Sequence, residues 1–174
     1  MRPIAMILMA AAVAAAAPDD VGRRVAGVYK HRFANGDVQG EKFTSEDILE
    51  IVPVRPQATY FRLHREFYNG HTCDISGIAD QVGDMLVYTG PNDTSGATCR
   101  LTLAPSRGGI RIFEGSNGAC RNQTCGARGG YGYADGDTSP AFAAAARRPI
   151  RYLPLILKSA EYKAALAEDA TRGR

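Results

Sequence analysis

With 174 residues, 45% of them hydrophobic and 22% charged, the chain is of single-domain size and long enough to build one real core. Its 21 Lys and Arg against 18 Asp and Glu leave a formal net charge of +3. That excess is mild and dispersed over pairs such as Arg23-Arg24, Arg62 with Arg65, and Arg147-Arg148, unlike the dense basic stripe of a nucleic-acid binder.

Residues 1–17 come first. Arg2 opens them, residues 4–17 form an unbroken apolar stretch ending in small side chains, and Pro18-Asp19-Asp20 then breaks it. This order is that of a secretory signal peptide, with cleavage expected after Ala16 or Ala17. The stretch is shorter than the ~20 apolar residues of a membrane span, and no cysteine near it offers a site for lipid attachment. The expectation is an exported protein, periplasmic or secreted, with no stable membrane insertion once the leader is removed. Residues 18–174 then form a single β-rich domain with a helical segment from about residue 141.

Within that domain, residues 25–33 read as a strand followed by an Asn35-Gly36 turn. Residues 48–54 read as a second strand, entered through the polar run Thr44-Ser45-Glu46-Asp47 and either ended or confined to an edge by Pro53 and Pro56. Residues 59–68 are a third, followed by a second Asn-Gly turn at Asn69-Gly70 and a strand over 72–79. Gly83-Asp84 leads into residues 85–88, and a turn-rich loop from Gly90 separates these from residues 99–103, where Leu101 and Leu103 share a face. Gly108-Gly109 then turns the chain into 110–113, with Ile110 and Ile112 on one side. Short strands punctuated in this way predict a mainly β, antiparallel barrel-like or lipocalin-like domain.

From Ser116 the texture changes. Residues 116–138 are rich in Gly, Cys, Asn and Arg and read as a cysteine-stapled Gly-rich loop. Residues 141–146 are Ala-rich and read as helical up to Pro149. Ser159 caps a last helix over 160–170, whose Tyr162, Ala165 and Leu166 form a narrow stripe suited to the outside of the sheet.

Export places the four cysteines, Cys73, Cys99, Cys120 and Cys125, where thiols oxidise, so disulfides are expected. Three pairings are open to them. The favoured one joins Cys73 to Cys99, on strands separated by a hairpin, and Cys120 to Cys125 around a tight loop. A four-cysteine zinc site would show two close knuckles, and only Cys120 and Cys125 are close.

The segment Cys120-Arg-Asn-Gln-Thr-Cys125-Gly-Ala-Arg-Gly-Gly resembles a C-x4-C-G-x-R-G motif of small exported proteobacterial proteins of unknown function. Asn69-Gly-His-Thr-Cys73, Leu86-Val-Tyr88, Arg151-Tyr-Leu-Pro and Ser159-Ala-Glu-Tyr162 fit the same pattern, so the resemblance spans roughly residues 60–166. By class analogy it implies a place beside periplasmic lysozyme inhibitors, which also use small barrels. The Ser-Gly-Ser-Gly inhibitory run of the C-type inhibitors does not occur here.

Catalytic signatures do not assemble. His64-Arg65-Glu66 matches only the H-x-E half of a zinc deaminase pattern. There is no G-x-S-x-G elbow, H-E-x-x-H helix or C-x-x-C pair. Glu46, Asp47 and Glu50 lie in a polar approach to a strand and read as a solvated face. Gly126-Ala-Arg-Gly-Gly lacks the strand and helix of a dinucleotide fingerprint.

The expected function is therefore a non-catalytic exported binding protein. Its partner would be another envelope or extracellular protein, a lysozyme-like hydrolase by analogy, and not nucleic acid. Arg121, Arg128, Tyr131 and Tyr133 on the cysteine loop are the candidate binding residues. No cofactor or metal is expected. The alternatives are a carrier of small apolar ligands, with a barrel cavity lined by Phe61, Leu63, Leu86 and Leu101, and an envelope hydrolase using His64 or His71.

Overall fold

The computed structural model describes residues 19–132 and 141–172. Residues 1–17, read as a signal peptide, and Tyr133 lie outside the described residues. Asp20 caps a short helix, α1 (Val21–Val25), by accepting the Arg23 N–H. Seven strands follow: β1 (Gly27–Gly36), β2 (Lys42–Arg55), β3 (Ala58–Glu66), β4 (Thr72–Val82), β5 (Met85–Asn92), β6 (Thr98–Ser106) and β7 (Gly109–Glu114). A short helix, α2 (Ala119–Thr124), precedes β8 (Phe142–Ala143), and two helices end the chain, α3 (Leu153–Lys158) and α4 (Ala160–Arg172).

Each strand pairs antiparallel with the next, in the order β1 to β8. Beyond β8, Arg148 exchanges backbone hydrogen bonds of 2.8 and 2.9 Å with Val28 of β1, so the sheet is a nearly closed barrel. The mainly β, antiparallel barrel with a disulfide-held loop and a C-terminal helix is the architecture that strand alternation implies. Inward positions fill the interior: Leu49 and Ile51, Phe61 and Leu63, Leu101 and Leu103, Ile110 and Ile112 all belong to one core cluster. Phe61, Leu63, Leu86 and Leu101, the residues expected to line a carrier cavity, pack inside this cluster, with Phe61 edge-on to Tyr88 at 5.4 Å.

A second cluster covers the outside. Val52, Tyr60 and Ile78 project outward from β2, β3 and β4 and receive Ile156 of α3 and Ala165 of α4, with Tyr162 and Leu166 beside them. Ser159 caps α4 as expected, its Oγ accepting the Tyr162 N–H at 3.1 Å. The outer sheet face is thus apolar where the helices lie on it.

Several local expectations need correction. Asn35-Gly36 stays within β1, and the hairpin turns instead on Asp37, whose carboxylate accepts the Gln39 and Glu41 N–H groups. The polar run 44–47 belongs to β2, with Ser45 and Asp47 buried. Residues 141–146 form β8 and a 3-10 turn rather than a helix, because β7 offers Gly109 and Ile110 as partners.

The β4–β5 seam is short. These strands pair only from Asp80 to Val82 against Met85 to Val87. Toward the other end of β4 they diverge, and side chains take over. The Arg172 guanidinium of α4 donates to the carbonyl of Thr89 on β5 and, at 2.8 Å, to that of Ile78 on β4. Its charge also sits over the Tyr88 ring, 5.4 Å from the centroid. Tyr88 reaches this position because Gly77 has no Cβ; one would lie 2.3 Å from the ring.

Candidate functional site

Past Arg172 the open end of the seam is covered by residues 115–132, a cap seated on the barrel mouth. Helix α2 is its rigid part and contacts β4, β6 and β7. The preceding Gly118 supplies no capping side chain. Glu114, at the end of β7, does so instead: its Oε2 accepts the Arg121 N–H at 3.0 Å. Burial raises the Glu114 pKa, partly opposed by the Arg121 and Cys120 donors.

Two disulfides fix the cap, Cys73–Cys125 from β4 and Cys99–Cys120 from β6. This overturns the expected pairing, and geometry supplies the reason. Formation of α2 separates Cys120 from Cys125 by about 7.5 Å along the helix axis at 1.5 Å per residue, beyond the usual disulfide reach. Cys73 and Cys99 lie on β4 and β6 with β5 between them, and β4 and β5 are unpaired at the Cys73 end, which keeps the two strand cysteines apart. Each strand cysteine therefore bonds to the cap. All four cysteines are oxidised, and two such bridges belong to an oxidising, extracytoplasmic environment.

Further contacts set the cap's shape. Gly126 donates its N–H to Thr72 at 2.8 Å, Gln123 reaches the Pro91 carbonyl at 3.1 Å, and Asn122 bonds Asp93 at 3.2 Å. Gly129 passes so close to the Cys73–Cys125 bridge that a Cβ would meet Cys73 Sγ at 2.5 Å. Beneath the cap, Asp47 accepts from Arg65 Nε at 3.3 Å and from the Glu66 N–H at 2.9 Å. Asp47 and Glu50 are both buried, not solvated as their sequence context implies.

The candidate binding residues separate in space. Arg121 and Arg128 are exposed on the cap. Tyr131 points inward with 1% of its surface exposed, and its hydroxyl bonds Thr124 Oγ1 at 2.6 Å, so its ring plugs the mouth. Burial first of all raises its pKa. The sequence reading missed three exposed side chains, Val38, Phe43 and Tyr68. Asn69, in a second 3-10 turn over Tyr68–Gly70, accepts the Val38 N–H at 3.4 Å, the Tyr68 hydroxyl donates to the Asp37 carbonyl at 2.6 Å, and His71 lies against Gly126. These contacts tie the β1–β2 turn, the 68–70 turn and the cap to one another. Of the three only Val38 carries a sequence signal, an isolated apolar residue inside the polar turn Asp37–Glu41.

A polar groove on the outer wall holds the other titratable cluster, lined by Lys30, Glu50, Arg62, His64, Asp74 and Tyr152 among others. Glu50 accepts from Arg62 Nε and from the Tyr152 hydroxyl, each at 2.5 Å. Burial, then the Glu50 hydrogen bond, pushes the Tyr152 pKa up to about 12. His64 lies between carboxylates, Nδ1 2.6 Å from Asp74 and Nε2 3.4 Å from Glu66. Burial alone would lower its pKa, but Asp74 and Glu66 together outweigh burial and raise it. Both ring nitrogens thus face acids, which suits an imidazolium holding two strands rather than a general base. His71 sits at the cap, away from this pair. Among the described residues no group of three His, Cys, Asp or Glu is placed to hold a metal ion.

Comparison with known protein families, curated proteins and solved structures returns no match.

Proposed function

We propose that this protein is a non-catalytic binding protein of the periplasm or the extracellular space, and that it engages another envelope or extracellular protein through the cap end of the barrel. The observation that carries this reading is the preorganisation of that end. Two disulfides and three side-chain or backbone ties hold the cap that carries exposed Arg121 and Arg128, and Gly126 against His71 joins it to the turn that carries exposed Tyr68. Arginine and aromatic side chains on a fixed surface supply most of the energy at protein interfaces, and fixing them beforehand lowers the entropic cost of binding. The motif resemblance and class analogy make a lysozyme-like hydrolase the first partner to test.

The experiment is biolayer interferometry against a panel of envelope and extracellular hydrolases that includes lysozymes, followed by activity assays on those that bind. Arg121→Ala/Arg128→Ala and Tyr68→Ala are expected to weaken association by about 2 kcal/mol each, roughly thirtyfold in Kd. Far-ultraviolet spectra should stay unchanged. Wild-type affinity in both variants would refute the assignment of this face.

A further inference from the structure

Residues 147–158 read RRPIRYLPLILK, with four cations and no Asp or Glu. Arg147 and Arg148 donate to backbone carbonyls, Arg147 clamping Arg24 and Ala26 and Arg148 bonding Ala145 and Arg147. Among the described residues neither they nor Arg151 and Lys158 pair with a carboxylate. Among the described residues their charge is uncompensated locally. The neighbouring acids of α4 are engaged elsewhere: Asp169 with Arg55 and Arg172, Glu168 with Tyr88 and Arg172, while Glu161 lines the groove with Arg62.

In the middle of this basic segment, α3 buries only Ile156. Leu155 is 70% exposed, and Leu153, Pro154 and Leu157 are exposed with it. An apolar recess of about 200 Å³ adjoins Leu153, walled by Ala26, Val52, Pro53, Pro149 and Ile150. Exposed leucines on so short an element are an outlier for a protein surface and mark a contact site.

We infer that α3 and its flanking arginines and lysine dock reversibly on an anionic lipid surface. The charge is complementary: cations around apolar tips match acidic headgroups above acyl chains. The size also fits. Fewer than two helical turns are exposed, far from the ~800 Å² per partner of a stable protein interface, yet leucine side chains are long enough to enter the headgroup boundary. This is surface association; among the described residues no helix is long and apolar enough to cross a membrane. It uses a different part of the molecule from the cap end, so either reading can fail alone.

The test is co-sedimentation with phosphatidylcholine vesicles, with and without phosphatidylglycerol, at low and high salt. The protein is expected to sediment with the anionic vesicles, to stay in solution with the neutral ones, and to be released by salt. Leu155→Asp should lower the partition coefficient at least tenfold, and Arg151→Gln/Lys158→Gln roughly thirtyfold. Arg121→Ala/Arg128→Ala should leave it unchanged. Because the chain lacks Trp, Leu155→Trp gives a second readout, a blue-shifted emission on anionic vesicles only. Absence of anionic-vesicle binding, or binding indifferent to Leu155→Asp, overturns the inference. A concentration-dependent dimer abolished by Leu155→Asp, without vesicle binding, would overturn it in favour of contact between copies.

Discussion

Asp93 shows how one side chain joins the cap to the barrel. Its carboxylate accepts the Ser95 hydroxyl at 2.6 Å, the Ser95 and Ala97 N–H groups at 2.8 and 3.0 Å, and the Asn122 amide at 3.2 Å. The Ser95 and Asn122 hydrogen bonds, above all, hold its pKa at about 2. A folded pKa below the unfolded value of about 3.9 means that the stabilisation is fully present above that value. It is lost as pH falls through about 2. The stability difference between wild type and Asp93→Asn should therefore shrink steadily as pH falls from 5 toward 2, as measured by urea unfolding. A difference independent of pH would show that the carboxylate's charge is not what the loop holds.

At the level of elements the weak point is the β4–β5 seam, where Arg172 takes over from the ladder. Its two donors occupy carbonyls that would pair if the register from Asp80 and Val87 continued. Arg172→Ala leaves both without a donor and should cost about 1–3 kcal/mol. Arg172→Lys should recover only part of this, since an ammonium lacks the guanidinium fork that spans two carbonyls. Hydrogen exchange in β4 and β5 should accelerate while exchange in β2 and β3 does not. Unchanged stability and exchange in Arg172→Ala would mean that water replaces the guanidinium at no cost. This clip was not legible in the sequence, because a C-terminal arginine carries no local sign of a carbonyl pair over 80 residues earlier. The strands were legible, since Leu101 with Leu103 and Ile110 with Ile112 alternate wherever one face is buried. So was the start of α4, from Ser159. Helix α2 was hidden because its cap, Glu114, comes from a strand rather than from the residue before the helix. Val38, Phe43 and Tyr68 were hidden because the fold sets their exposure: Phe43 lies at the start of β2 and Tyr68 follows Phe67, where nothing local separates them from apolar residues that face the core.

For the whole molecule, both bridges attach the same cap to the two strands that flank β5, so they do not act independently. Chain entropy alone gives Cys73–Cys125, spanning 52 residues, roughly 4 kcal/mol and Cys99–Cys120, spanning 21, roughly 3 kcal/mol. The second loop lies inside the first, however. When Cys99–Cys120 is closed, the path from Cys73 to Cys125 is shortened by the bridged segment, and each bridge is worth less in the presence of the other. Removing one pair, as Cys99→Ala/Cys120→Ala or Cys73→Ala/Cys125→Ala, should cost more in the variant that already lacks the other pair than in wild type. The quadruple variant should then lose more than the sum of the two double variants. The meander itself pairs strands adjacent in sequence, which closes short loops at each step. Far-ultraviolet spectra should therefore survive loss of both bridges while exchange in residues 119–131 rises. Equality between the quadruple loss and the sum would show that the cap is held at two independent points. A super-additive loss would establish it as one unit, and partner binding at the cap end should then disappear only when the second bridge is removed.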